Sequence, residues 1–344
     1  MAGLVAAARA RELGANPVVL EKGHRPGGSM LLSSGVVWRH HSLEDFNAEC
    51  PGGDPALQRR IVEELDDALD WLESLGVEPV TRKTGNPVTV GRRFDTHALT
   101  DVLARAAGDV RLDEPFREAH ILATGGFGAR LARERGLLLR ANEWSEGDGL
   151  DYGIARGGSL TAGLDEFYGR ALPGVVDERD YVAAAQLYAR HALVLDDEGR
   201  DLGEADWHES DLVQRLPGGR AWYVVDARTL RRPVREHTVA DLVAVAREVG
   251  GEVMPAAELP FVLPESTKLV EPPFVAVRVR AAVTHTIGGL RIDEHARVID
   301  GDGRPVPGLH AAGADAGGIF TGGYGSGLAA ALVFGRIAAE TALR

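Results

Sequence analysis

The sequence predicts an α/β fold in which short apolar strands run into glycine-rich turns and then into helices. Three segments carry the prediction. Leu4–Leu13 has helical spacing, with small apolar residues on one face and Arg9, Arg11 and Glu12 on the other. Gly14 is placed to end it, and Pro17-Val18-Val19-Leu20 follows as a short buried-type strand. His120–Phe127 is an apolar strand running into Ala123-Thr124-Gly125-Gly126. Gly308–Gly318 repeats that junction with Asp315 at the strand end, and Gly322–Ala331 then opens a last helix.

Taken in order, the opening residues Met1-Ala2-Gly3-Leu4 match the second half of a dinucleotide-binding fingerprint, a strand followed by Gly-x-Gly-x-x-Gly and a helix. Gly3 takes the third glycine, Met1 and Ala2 the two variable positions. The strand and the first two glycines would lie before residue 1. Glu21 closes the strand where an acid accepts the ribose hydroxyls of a nucleotide, and a carboxylate there favours an unphosphorylated adenosine ribose. An ordinary amphipathic helix and strand is the competing account of this segment taken alone.

Gly27-Gly28-Ser29-Met30-Leu31-Leu32-Ser33-Ser34-Gly35 follows. Its glycines allow close backbone approach to a ligand, its serines offer hydroxyl donors, and its apolar centre argues for burial. Pro55–Leu75 is helical, with Leu57, Ile61, Leu65, Leu69 and Leu72 at spacings of 3 or 4 and a solvated charged face. Thr84-Gly85-Asn86-Pro87 is a turn and Thr96–Ala107 another helix. Arg82, Arg92 and Arg93 either face a substrate or, the favoured reading, lie on solvated surface. Ser326 and Leu328 stand where exposed amides of the last helix can meet an anion or an electron-rich ring edge.

Composition narrows the classes. The 344 residues can bury a sizeable core and form two domains. A net charge of −13 argues against nucleic-acid binding, which needs a basic face. The single cysteine, Cys50, excludes an internal disulfide and a Cys-x-x-Cys pair. No apolar run approaches the roughly 20 residues of a membrane helix, no signal peptide is visible, no metal ligand set is read, and the expectation is a cytoplasmic protein.

The glycine loops, in this order, resemble the FAD-dependent superfamily of fumarate reductases, succinate dehydrogenases and 3-ketosteroid dehydrogenases. Ala141-Asn142-Glu143-Trp144-Ser145-Glu146-Gly147-Asp148-Gly149-Leu150 and Thr284-His285-Thr286-Ile287-Gly288-Gly289-Leu290 match it too. The resemblance implies a discontinuous Rossmann-like FAD domain, 1–128 and 272–344, without the first strand of its Rossmann unit, and an inserted α+β cap domain, 129–271. It implies noncovalent FAD, since Ser29 and Met30 stand where covalent members carry histidine. Carried over by motif, Gly3, Glu21 and Lys22 face the adenosine end. Gly28, Ser29, Ser34 and Gly35 line the pyrophosphate and flavin. Ala123, Thr124 and Gly125 pass near the cofactor with Asp148 behind them. Gly313 and Asp315 belong to the ribityl-binding junction, and Ser326, Gly327 and Leu328 to the helix start near the pyrimidine.

The implied chemistry is hydride transfer between a substrate carbon and flavin N5, forming or reducing a carbon–carbon double bond. Ser210, in Glu209-Ser210-Asp211, replaces the cap arginine that donates the proton in fumarate reductases, and Tyr324 stands near the late carboxylate-binding arginine. Tyr324 before Gly-Ser-Gly resembles the ketosteroid dehydrogenases. The candidates are Tyr324 as electrophilic donor, His285 as orienting group, and Tyr168 or Arg170 as acid/base or binding partner. The substrate is then uncharged or ketone-bearing, with an electron acceptor the sequence does not name. The meander expected between Ala107 and Ile121 is reduced to Gly108–Ala119, too few residues for three strands of about 5–6 each. The alternative function is a truncated, non-catalytic member that binds FAD weakly or not at all.

Overall fold

A computed structural model describes residues 1–207 and 209–344. The chain forms two compact units: Met1–Leu131, Ala141–Phe167 and His285–Arg344 in the first, Ala132–Arg140 and Tyr168–Thr284 in the second. The expected boundaries at 129 and 272 differ from these. Residues 141–167 stay with the first unit because Asn142 N–H donates to Ser29 Oγ (3.0 Å) and Gly149 packs on Asp315 and Thr124. Strand Val275–Thr286 belongs to the second unit as far as Thr284 because its first half pairs within that sheet.

In the first unit the helix Ala2–Glu12 buries Leu4, Val5 and a run of alanines. Small side chains let it lie close against the last helix, Gly327–Ala342, where Ala6 and Ala10 meet Ala339. A Cβ at Gly335 would stand 2.9 Å from Ala2 O and 3.1 Å from Val5 Cγ1. The last helix is apolar nearly all round, as a helix packed on several sides must be. Pro55–Ser74 begins as its sequence predicts, with Asp54 Oδ1 accepting from Ala56 N–H (2.8 Å) and proline in its first turn, and it buries Leu57, Ile61, Leu65, Leu69 and Leu72. Arg92 pairs with Asp70 and Glu73 of that helix and Arg82 with Glu73, so two of the three arginines are part of its charged face.

Among the described residues of the first unit the parallel strands form two separate ladders. Val18–Leu20 pairs with Asp109–Arg111, and Ile121–Leu122 pairs with His310–Ala311, whose strand also carries Arg297–Ile299. Val18 and Leu20 remain 47% and 38% exposed, so this strand is not the buried one its apolar sequence predicts. Val36–His40 and Thr89–Arg93 make an antiparallel pair.

The second unit is built on a six-stranded sheet. Val253–Pro255, Val275–Thr286, Arg220–Val225 and Leu193–Leu195 lie in that order, with Leu138–Leu139 and Phe167–Leu172 also on the long strand. Its core includes Leu193, Leu195, Trp222, Val224, Ala256 and Ala276. Among the described residues no helix is long and apolar enough to cross a membrane, and no cluster of His, Cys, Asp and Glu could hold a metal.

Candidate active site

The site of the first unit gathers where strands end in glycine. Asp315 is fully buried at the end of the His310 strand, and its carboxylate ties two segments together. Oδ2 accepts from Thr124 N–H; Oδ1 accepts from Thr124 Oγ1 (2.9 Å) and Gly126 N–H (3.0 Å). Burial pushes this carboxyl above the ordinary aspartate range, against the lowering effect of those donors. Asp315 is therefore first a structural clasp between the two strand–glycine junctions. Gly313, two residues earlier, lies beside Ala2 at the head of the first helix, and a Cβ on Gly3 would meet Ala123 Cβ at 3.5 Å.

At the other end Glu21 follows strand Val18–Leu20, and its Oε1 accepts from Gly23 N–H (2.8 Å). Burial raises its carboxyl. Lys22 Nζ meets Asp148 at 2.8 Å, so these two predicted residues form one ion pair. Ser29 Oγ accepts from Asn142 N–H. Gly35 donates to Ser33 Oγ (3.1 Å) next to half-buried Ser34.

Tyr324 and His285 come together. Their ring centroids are 6.1 Å apart, and Tyr324 Oη accepts from Gly327 N–H (3.2 Å) at the head of the last helix. Ser326 caps that helix through Ala329 N–H (3.2 Å). Leu328 N–H, a first-turn amide, has no capping acceptor among the described residues. Burial against Phe320, Tyr324 and Gly327 pulls the His285 imidazole down to about 4, so it is neutral at pH 7.

Around this pair stand rings that sequence reasoning did not select. Phe320 lies 5.6 Å from Tyr324, Trp38 6.3 Å from Tyr324, His40 5.3 Å from Trp38, and Phe46 5.9 Å from Phe320. Trp38 N–H also reaches Ser326 Oγ (3.4 Å). These rings come from separate segments, and no spacing links them.

Tyr168 and Arg170 lie in the second unit. The Arg170 guanidinium stacks over the Tyr168 ring at 5.0 Å, is itself buried, and acts on Glu209. Glu209 was not expected to matter, yet it is 4% exposed, in a left-handed backbone conformation (φ 63°). Burial raises its carboxyl to about 7, against the opposing pull of Arg170 and of the Ala189 and Arg190 amides. Tyr223, close enough to feel that charge, has a buried hydroxyl with no hydrogen-bond partner among the described residues. Ser210, where the proton-donating arginine would stand, is buried at the start of a short helix.

The FAD binding domain family matches residues 1–118 and 100–327. A probable fumarate reductase, Ifc3, of Shewanella frigidimarina is 25% identical over an alignment that takes in the whole of this chain and 73% of that protein. The open conformation of a flavocytochrome c3 fumarate reductase superposes with a TM-score of 0.68 at 23% identity, over all of this chain and 77% of that one. The 3-ketosteroid-Δ4-(5α)-dehydrogenase of Rhodococcus jostii RHA1, solved with 4-androstene-3,17-dione, gives 0.73 at 17% identity, over all of this chain and 95% of that one.

Proposed function

This chain belongs to the FAD binding domain family, and on that premise we propose that it is a flavin oxidoreductase acting on a carbon–carbon bond of an uncharged, ketone-bearing substrate. Its residues fit the cofactor. Gly125 has φ +93°, and a Cβ there would meet only Ser145 Cβ at 3.7 Å, so protein packing leaves its face open to a ligand. Leu328 N–H, uncapped among the described residues, is a helix N-terminal donor suited to an anion or a carbonyl edge. In this reading Gly3, Glu21 and Lys22 hold the adenosine end. Gly28, Ser29, Ser34 and Gly35 flank the pyrophosphate and flavin. Ala123, Thr124, Gly125 and Asp148 sit beside the cofactor. Gly313 and Asp315 hold the ribityl chain, and Ser326, Gly327 and Leu328 hold the pyrimidine. FAD, noncovalently bound, supplies the two-electron donor or acceptor for hydride transfer.

The observation that carries the substrate reading is the pair Tyr324 and His285. A phenol oxygen that accepts a helix N-terminal N–H is positioned by it, and a phenolic O–H is chemically suited to donate to a ketone oxygen. That donation draws charge from the substrate and acidifies the adjacent C–H. A neutral imidazole cannot clamp a carboxylate by charge, but it can orient a polar uncharged group. The surrounding Trp38 and Phe320 suit an apolar ring. The roles that the resemblance gives Tyr168 and Arg170 are tested separately, by the kcat of Tyr168→Phe and of Arg170→Lys.

The relation to a fumarate reductase keeps a dicarboxylate as the second reading. Turnover of the FAD-loaded chain with an artificial electron acceptor separates the two. Oxidation of cyclic ketones but not of succinate supports the proposal; succinate oxidation at comparable kcat/KM overturns it.

A further inference from the structure

We infer that Trp144 is the aromatic wall on which the adenine of the cofactor stacks. The inference rests on the cofactor reading above and concerns the first unit alone. Two stretches assigned to the cofactor, Glu21-Lys22 and the Gly27-Gly28-Ser29 loop, are joined by a short link. One other loop, 142–144, reaches both the link and the glycine loop. At one end Asn142 N–H donates to Ser29 Oγ, and Asn142 Nδ2 lies 3.3 Å from where a Cβ on Gly28 would stand. At the other, the Trp144 indole packs directly on Gly23, where a Cβ would sit 2.5 Å from its Cε3 and Cζ3.

The indole is braced on three sides. Trp144 N–H donates to Asn142 Oδ1 (3.1 Å), Gly23 supports the ring, and His24 meets it edge-on with centroids 5.0 Å apart at 85°. Gly23 is also the residue whose N–H holds the Glu21 carboxylate. The ring thus stands two residues from the acid assigned to the ribose, and it remains only partly buried. A rigid, half-exposed indole beside a ribose site offers a purine a stacking face without further hydrogen bonds. The same contact makes glycine a requirement at position 23, since any side chain there displaces the ring.

The test uses the full chain and two probes. ADP, which lacks flavin absorbance, is titrated while indole emission is followed, and FAD affinity is measured by calorimetry. ADP is expected to quench part of the emission. That part disappears in Trp144→Leu, which binds FAD roughly tenfold or more weakly. Trp144→Phe keeps a stacking face and retains most of the affinity without the quench. Gly23→Ala, with Trp144 in place, loses both, and it carries the test if the leucine variant does not fold by circular dichroism. Wild-type affinity for ADP and FAD in Trp144→Leu, or an ADP quench that survives it, overturns the inference alone. A wild-type chain that binds neither FAD nor ADP overturns the cofactor reading and this inference together.

Discussion

Replacing Glu209 by glutamine removes a titration that the second unit is built to feel. The side chain is 4% exposed, and its carboxyl is held at about 7 against an ordinary 4.5. The folded state therefore binds this proton more tightly than the unfolded chain. The associated stability is fully present below 4.5 and is lost as pH rises through about 7. Such a raised carboxyl corresponds to about 3 kcal/mol in all, most of which falls between pH 5 and pH 8. Groups facing Glu209 include Arg170, Arg190, Tyr188, Tyr223 and, near Tyr223, Asp211. The tyrosines, raised further by burial, do not titrate in this range. Urea unfolding of wild type and Glu209→Gln at half-unit pH intervals isolates the effect of this one carboxyl, because other carboxylates cancel in the difference. The variant should gain about 2–3 kcal/mol relative to wild type from pH 5 to pH 8. Parallel pH curves would refute the reasoning.

Four further outcomes are expected. Tyr324→Phe should bind FAD as wild type while kcat on a ketone falls roughly 10²–10³-fold, read by steady-state kinetics; unchanged kcat removes Tyr324 from the chemistry. His285→Asn should leave the shape of the pH–rate profile between 5.5 and 7.5 unaltered, because the imidazole is already neutral there; loss of an ionisation near 6.5 contradicts this. Asp315→Asn turns an amide NH2 toward either Thr124 N–H or Gly126 N–H, which should cost about 1–3 kcal/mol in thermal or urea unfolding. Gly335→Val pushes into Ala2 and Val5 and should cost about 1–3 kcal/mol by the same assay.

The sequence made the local units legible because each is punctuated within a few residues. Asp54-Pro55 and the leucine spacing define one long helix, and Ser326-Gly327 starts the last. The strand–glycine junctions were legible for the same reason. Their joining by Asp315 was foreseen only as a ligand contact, and its clasp on Thr124 and Gly126 needed the fold to be seen. Val18 and Leu20 are as apolar as core strand residues, and only tertiary context leaves them exposed. The aromatic surround of Tyr324 and His285 escaped detection because Trp38, His40, Phe46 and Phe320 converge from separate segments with no common period. Glu209 escaped because an acid among Asp206, Trp207 and Asp211 reads as solvated loop, and burial is a property of the assembled unit.

The central claim is that the chain is a flavin enzyme for an uncharged ketone, and anaerobic mixing tests it most directly. The chain is loaded with FAD, freed of excess by gel filtration, and mixed at pH 7 with a saturated 3-ketosteroid or a cyclohexanone in one syringe and succinate in another. A yellow protein whose visible flavin absorbance is bleached by the ketone and not by succinate is the predicted result. Bleaching by succinate alone, or a chain that stays colourless after loading, would contradict it.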